Sequence, residues 1–114
     1  MSLRLTNVTL DCADPVRVSR FWSEALRRPV DDGASEWFAT IGRNDQTQPA
    51  WFFAKVPEDK TVKNRMHVDL HADDRPAEVA RLITLGAQRV DDYNEYGHTW
   101  TTLRDPEGNE FCVA

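Results

Sequence analysis

Apolar residues recur along this chain with two alternating periods. A period of two, as at Val8 and Leu10, is typical of a strand with one buried face, and a spacing of three to four is typical of a helix packed on a sheet. The helical stretches begin beside an Asp and a Pro, as at Asp14-Pro15, because Asp caps free amide groups and Pro fits the first turn. Strands are predicted at 4–11, 36–41, 51–56, 66–71, 87–93, 99–104 and 110–113, with a weaker one at 30–32, a polar loop at 42–49, and helices after Asp14 and Asp74.

The second half of the chain repeats the first half at an offset of sixty residues. Residues 7–11 precede residues 67–71 by this offset, and Asp14 precedes Asp74 by the same distance. A repeat of this kind indicates duplicated units that bury a shared face, so we predict an α+β fold with two tandem modules. The predicted boundaries are 1–114 for a single domain, 1–57 for module one, 58–63 for a short linker and 64–114 for module two.

Composition and charge narrow the classes of partner. The formal net charge is −5 over 114 residues, without a basic stripe, so neither a nucleic acid nor an anionic membrane surface is an expected partner. No apolar run is long enough to cross a bilayer, and no secretory signal pattern opens the sequence. The two cysteines, Cys12 and Cys112, are too few for a disulfide framework, and reduced thiols in a cytoplasmic protein are the simpler interpretation.

Four stretches in a fixed order resemble a known superfamily. They are 7–11 with Asp14-Pro15, Arg20-Phe21-Trp22, 64–70 (Asn-Arg-Met-His-Val-Asp-Leu) and 103–112 (Leu-Arg-Asp-Pro-Glu-Gly-Asn-Glu-Phe-Cys). With these stretches the chain is similar to the vicinal oxygen chelate superfamily, which includes glyoxalase I, extradiol dioxygenases and bleomycin resistance proteins. The likeness is greatest to short glyoxalase-like proteins. It implies two βαβββ modules that form a curled, barrel-like mixed sheet around a cavity, with the helices outside. Relatives often pair through exposed sheet edges, so a homodimer is also expected.

The resemblance further implies where a metal ion would be bound in metal-dependent members. Those positions correspond here to Asn7, Ala54, His67 and Cys112. Ala54 has no donor atom and Asn7 is a weak neutral ligand, whereas divalent ions with oxygen ligands usually take three or more donors from the protein. We therefore predict that neither a metal nor another cofactor is bound. Asp69, His71 or Glu110 could supply a missing donor, although their spacing matches no known motif.

Strand alternation places polar side chains on the face turned away from the helices. Because the apolar residues of the first strand face a helix, Asn7 and Thr9 face the other way, and the same parity applies to His67 and Asp69. Polar faces of this kind are either solvated or line a binding site. If the sheets curl as the resemblance implies, these faces line the cavity.

Aromatic residues on the predicted strands give a second signal. Parity places Phe52 and Ala54 on the inner face, and Trp100 is expected to face inward as well. Apolar walls with a few polar groups are typical of small-molecule pockets, although the rings could instead all belong to the core. The predicted ligand-binding residues are Asn7, Thr9, Phe52, Ala54, His67, Asp69, Trp100 and Cys112.

Three functions are consistent with these patterns. The favoured hypothesis is a metal-free protein that binds a small, planar or aromatic organic molecule. The alternative is a lyase, isomerase or dioxygenase of the same superfamily, either metal-dependent or a metal-free variant that uses His67, Asp69 or Cys112. In that hypothesis Cys112 is a reactive thiol paired with His67, and otherwise it is an inert buried residue. The third hypothesis is a vestigial cavity in a domain that serves protein interaction.

Overall fold

The computed structural model describes residues 2–45 and 49–114, and its contacts divide the chain into two units, Met1–Asp59 and Lys60–Ala114. The division falls within the segment 58–63 that the sequence marks as a linker. The organisation of both units as one domain stays a prediction. Part of the predicted polar loop 42–49, namely 46–48, lies outside the described residues.

The first unit consists of three strands and one helix within the described residues. They are β1 (Asn7–Cys12), α1 (Pro15–Leu26), β2 (Phe38–Ile41) and β3 (Ala50–Lys55). The sheet order is β1-β3-β2, with β1 parallel to β3 and β2 antiparallel to β3. The weak strand predicted at 30–32 is reduced to a single bridge between Val30 and Ile41.

Aromatic packing joins α1 to its sheet. Trp22 of α1 stacks on Trp51 of β3 with 4.7 Å between the ring centroids, and Phe53 is fully buried next to it. Asp14 caps the helix by accepting a hydrogen bond from the Arg17 amide at 3.1 Å, as the sequence predicts. The helix face that carries Trp22 is therefore fixed on the side of β3 from which Phe52 points away.

The second unit has a longer sheet. Its elements are β4 (Val68–Leu70), α2 (Arg75–Leu85), β5 (Gln88–Glu95), β6 (His98–Arg104) and β7 (Glu110–Val113). The sheet order is β4-β7-β6-β5, and β4 is parallel to β7 whereas the other pairs are antiparallel. The prediction of a mixed α+β fold is thus confirmed, with two helices and two mixed sheets in the described part of the chain.

The curled, barrel-like form of the sheet is not confirmed. Within the described residues each sheet is open: β1 and β2 form the edges of one, and β4 and β5 form the edges of the other. A closed barrel would pair every strand on both sides.

Several predicted strands begin later than the apolar pattern suggests, and β1 and β4 show the physical reason. Strand β1 begins at Asn7 because its partner β3 begins opposite it, at Ala50, and Leu5 is left 66% exposed. Strand β4 begins at Val68, opposite Phe111, and because β7 itself begins only one residue earlier, at Glu110, Met66 lies beyond the partner strand and is 73% exposed. Pairing length, rather than side-chain alternation, therefore sets these two boundaries.

The side chain of Asp105 shapes the turn between β6 and β7. Its Oδ1 accepts hydrogen bonds from the amides of Glu107 and Asn109, each at 2.9 Å, and Oδ2 accepts one from Asn109 Nδ2. Gly108 has a φ of +88°, a conformation that favours glycine. The Asp-Pro-Glu-Gly-Asn motif thus has a structural role, since it directs β7 back along β6.

No helix in the described ranges 2–45 and 49–114 is long and apolar enough to cross a membrane.

The aromatic contact between α1 and β3 can be tested with a matched pair of substitutions. Trp51→Ala should lower the free energy of unfolding by about 3–5 kcal/mol, because it leaves a large cavity against Trp22. Trp37→Ala removes the same atoms from a side chain that is 64% exposed, and should cost less than about 1 kcal/mol. Urea unfolding followed by circular dichroism measures both. Equal losses would contradict the assignment of Trp51 to the core.

Candidate ligand-binding site

One face of the second sheet carries a row of polar side chains that crosses three strands. Asp69 of β4 lies opposite Cys112 of β7, and Cys112 lies opposite Thr102 of β6. Because residues two apart on a strand share a face, Trp100 and Arg104 lie on the same side of β6 as Thr102. Pairing to β7 therefore brings residues from distant parts of the sequence onto one surface.

This face forms a pocket of about 760 Å³. It is lined by residues of the segment 60–63, by strand residues and by the turn after β6: Lys60, Thr61, Val62, Lys63, His67, Asp69, Val90, Tyr93, Trp100, Thr102, Arg104, Glu107, Gly108, Glu110 and Cys112. The four residues predicted as ligand-binding in this unit, His67, Asp69, Trp100 and Cys112, all line it. That these four residues bind a ligand stays a prediction.

Two stacked rings form the aromatic part of the pocket. Tyr93 of β5 lies opposite Trp100 of β6, and their rings stack with 5.3 Å between centroids and an interplanar angle of 18°. Both side chains are only partly buried. A planar molecule can therefore extend this stack from the pocket side.

A polar cluster forms the centre of the pocket. Ligand atoms of His67, Asp69 and Cys112 all lie within 4.8 Å of one another, and His67 Nε2 lies 3.3 Å from Asp69 Oδ1. That contact favours the imidazole tautomer with a proton on Nε2. Cys112 Sγ lies 3.4 Å from Thr102 Oγ1.

The Cys112 thiol is held in its protonated form. Burial raises its pKa, and the neighbouring Asp69 carboxylate raises it further, whereas the Thr102 hydroxyl and the Lys63 charge lower it only in part. A thiol needs a lowered pKa to act as a nucleophile at neutral pH. The environment of Cys112 therefore supports the inert interpretation over the reactive one.

Glu110 attaches the segment 60–64 to the start of β7. Its carboxylate accepts hydrogen bonds from the Asn64 amide at 3.3 Å and forms an ion pair with Lys60 Nζ at 3.3 Å. Asn64 Nδ2 also donates to the Glu110 carbonyl at 3.2 Å. Burial alone would raise the pKa of Glu110, but these bonds, with one from its own amide, outweigh it and hold the pKa below its ordinary value.

The other four predicted residues belong to the first unit. Asn7 Nδ2 donates to Thr9 Oγ1 at 3.2 Å, and Thr9 lies opposite Phe52 in the parallel pair of β1 and β3. Ala54 follows Phe52 on the same face. Phe52 contacts the ring of Phe38 edge to face, with 5.4 Å between centroids. The eight predicted residues thus form two groups, one in each unit.

Sequence patterns missed several residues of the second-unit pocket. Thr102 and Arg104 share the parity of Trp100 and could have been found from alternation in β6. Tyr93 could not, because its place beside Trp100 depends on a register that includes a bulge between Arg89 and Asp91. The lysines of the segment 60–63 were missed because a polar linker has no period that reveals its contacts.

Comparison with known proteins identifies the family. The family model described as "Glyoxalase-like domain" matches residues 7–114. The chain belongs to this family. Together with the structural neighbours, the match assigns it to the vicinal oxygen chelate superfamily, as the sequence resemblance predicts. A search of curated protein sequences gave no match.

Solved structures of three relatives show the same fold as this glyoxalase-like protein. A glyoxalase/bleomycin resistance protein/dioxygenase family enzyme from Burkholderia phytofirmans has a TM-score of 0.77 and 20% identity, with 97% of each chain covered. Lactoylglutathione lyase from Agrobacterium tumefaciens has a TM-score of 0.69 and 13% identity, over 96% of this chain and 91% of that one. The bleomycin-binding protein of Streptomyces verticillus, complexed with copper(II)-bleomycin, has a TM-score of 0.65 and 14% identity, and the match covers 100% of this chain and 97% of that one.

The metal site that the superfamily implies does not fit this chain. Ala54 supplies no donor atom, and Asn7 offers only a neutral amide oxygen, which already accepts a hydrogen bond from Thr6 Oγ1 at 3.2 Å. In the described part of the chain, the residues that could hold a metal are instead His67, Asp69 and Cys112. An imidazole, a carboxylate and a thiolate form a donor set that suits Zn²⁺ more than a hard ion. Of the other two predicted donors, His71 lies beside Asp73 and is 82% exposed, and Glu110 is held by Lys60 and the Asn64 amide.

The Glu110 contacts predict a specific pH dependence of stability. Because the pKa of Glu110 is lowered in the folded state, its stabilising effect is present above the unfolded value of about 4.5 and is lost as pH falls through the folded pKa. Glu110→Gln should therefore reduce stability at pH 7 by about 1–3 kcal/mol, and the difference from wild type should shrink in acid.

Urea unfolding at a series of pH values between 7 and 3 measures this difference. Glu95→Gln is the matched control, because Glu95 is exposed at the end of β5. If the difference in free energy of unfolding between Glu110→Gln and wild type stays constant with pH, the charge of the Glu110 carboxylate does not contribute to stability.

Proposed function

We propose that this glyoxalase-like protein binds a small, planar organic molecule in the second-unit pocket, without a metal ion. The observation that carries the proposal is the stacked pair of Tyr93 and Trp100, which lies beside a hydrogen-bonding cluster in one pocket. Small-molecule pockets commonly combine an aromatic wall with a few polar groups and have volumes of roughly 300–1,000 Å³. The volume of about 760 Å³ is within that range.

The donor atoms support binding over metal-dependent catalysis. Two of the four family positions, Asn7 and Ala54, cannot supply a strong ligand. The raised pKa of Cys112 also opposes a role as a metal-free nucleophile. The bleomycin-binding neighbour is consistent with this proposal, since its structure contains an organic ligand in complex with the same fold. Self-association and a cytoplasmic location stay predictions.

A second candidate function is metal-dependent lyase, isomerase or dioxygenase chemistry. It is favoured by the convergence of His67, Asp69 and Cys112, which offer three donors within 4.8 Å of one another. A structural neighbour with the same fold is named as a lactoylglutathione lyase. This candidate requires the metal to be held by residues of one unit only.

Ligand binding can be tested with naphthalene derivatives that carry neutral, anionic or cationic substituents. At least one should bind with a Kd in the micromolar range by calorimetry, and Trp100→Ala should weaken it about tenfold or more, because one stacking surface is lost. Trp37→Ala is the control, since Trp37 is an exposed tryptophan of the first unit. Unchanged affinity in Trp100→Ala would contradict the assigned site.

Elemental analysis separates the two candidate functions. Untagged protein purified without chelator should contain no stoichiometric Zn, Ni, Fe or Mn, and divalent ions should not shift its melting temperature. A near-stoichiometric metal that is absent from Cys112→Ser would instead support the second candidate. Thr102→Ser serves as the control, because it keeps a hydroxyl beside Cys112 and removes no donor of the cluster.

A further inference from the structure

We propose that the ligand of the second-unit pocket is an aromatic acid, whose ring stacks on Trp100 and whose carboxylate or other anionic group is held by Arg104 and Lys63. This inference rests on the proposed binding function and adds the charge of the ligand to it. The whole chain has a net charge of −5, so the preference would be a local property of the pocket.

Two of the three acidic side chains of the pocket, those of Asp69 and Glu110, are already engaged within the chain. Asp69 lies 3.3 Å from His67, and the Glu110 carboxylate is held by Lys60 and by the Asn64 amide. Glu107 also has an interaction within the chain. A cationic ligand would have to compete with these contacts for each carboxylate.

Two cations of the pocket, unlike these carboxylates, have no partner among the described residues. Among the residues that the structure describes, the side chains of Arg104 and Lys63 form no hydrogen bond or ion pair. Both residues line the pocket, Arg104 on β6 and Lys63 in the segment 60–63. In formal charge the three cations of the lining, Lys60, Lys63 and Arg104, balance the three carboxylates, so what favours an anion is that two of these cations have no partner within the described residues.

The positions of these groups fit a molecule with a ring at one end and an acid at the other. Trp100 and Arg104 lie on the same face of β6, four residues apart, which corresponds to roughly 13 Å between their Cα atoms. Thr102 lies between them and contributes a hydroxyl group. The long, flexible stems of Arg104 and Lys63 can cover the part of this distance that the ligand does not span. A guanidinium can also bind a carboxylate through two parallel hydrogen bonds.

The experiment compares 2-naphthoate with 2-naphthamide, which have nearly the same shape but differ in charge. Wild-type protein should bind the acid at least tenfold more tightly than the amide by calorimetry, and the ratio should fall as salt is added. Arg104→Met should bring the ratio close to one, while the affinity for the amide changes less than twofold. Lys63→Met should also lower the ratio of acid to amide affinity, and because Lys63 lies outside the strands, this substitution leaves the sheet intact.

Arg20→Met is the matched control, because it removes the same charge from an exposed position on α1. Its ratio should equal that of wild type. An equal loss in Arg20→Met and Arg104→Met would overturn the inference, since the effect would then be one of total charge.

Different binding results would contradict the inference and the proposed function. If acid and amide bind equally, or if 2-naphthylmethylammonium binds more tightly than the acid, the inference fails and the proposed binding function stands. If none of the three compounds binds, the proposed function fails, and the inference fails with it.

Discussion

Strand β7 pairs with β4 on one side and with β6 on the other, and this pairing decides where the pocket residues lie. Cys112 is placed between Asp69 and Thr102 because the parallel and antiparallel registers meet at that residue. At the start of the same strand, Glu110 binds Asn64 and Lys60 and so positions the segment that forms another wall. A four-residue strand thus organises both the floor of the pocket and one of its sides.

Local periodicity was sufficient to predict the elements and their faces. The Asp caps of both helices, the burial of Trp51 and the opposite orientation of Phe52 follow from spacing alone. Strand limits were wrong at Leu5 and Met66, because an apolar residue joins a strand only where a partner strand is present to pair with it. Pairing partners are distant in the sequence, and no single strand specifies them.

The candidate site was predictable only in part for the same reason. His67 and Cys112 were predicted from parity and from the family resemblance, whereas Asp69 was predicted from parity alone. The proximity of Asp69 to Cys112 depends on the register of β4 with β7, and the stack of Tyr93 on Trp100 depends on the bulge in β5. The contribution of Lys60 and Lys63 depends on the Glu110 contacts of a segment that the sequence marks only as polar. Register and loop placement are therefore what the sequence patterns could not supply.

The donor atoms and the charges of the second-unit pocket both disfavour a hard metal ion. A superfamily site for a divalent ion needs several donors with negative or strongly polar character, whereas the cluster in this pocket combines His67 and Asp69 with a Cys112 thiol whose pKa is raised by burial. The carboxylates that remain are engaged by His67, Lys60 and Asn64, which lowers the negative potential available to a cation. A pocket with these properties has little attraction for a hard metal ion. Such a pocket would favour an organic molecule with an aromatic ring and a negative charge. The ring would stack on Trp100, and the anionic group would pair with Arg104 and Lys63, which have no partner within the described residues.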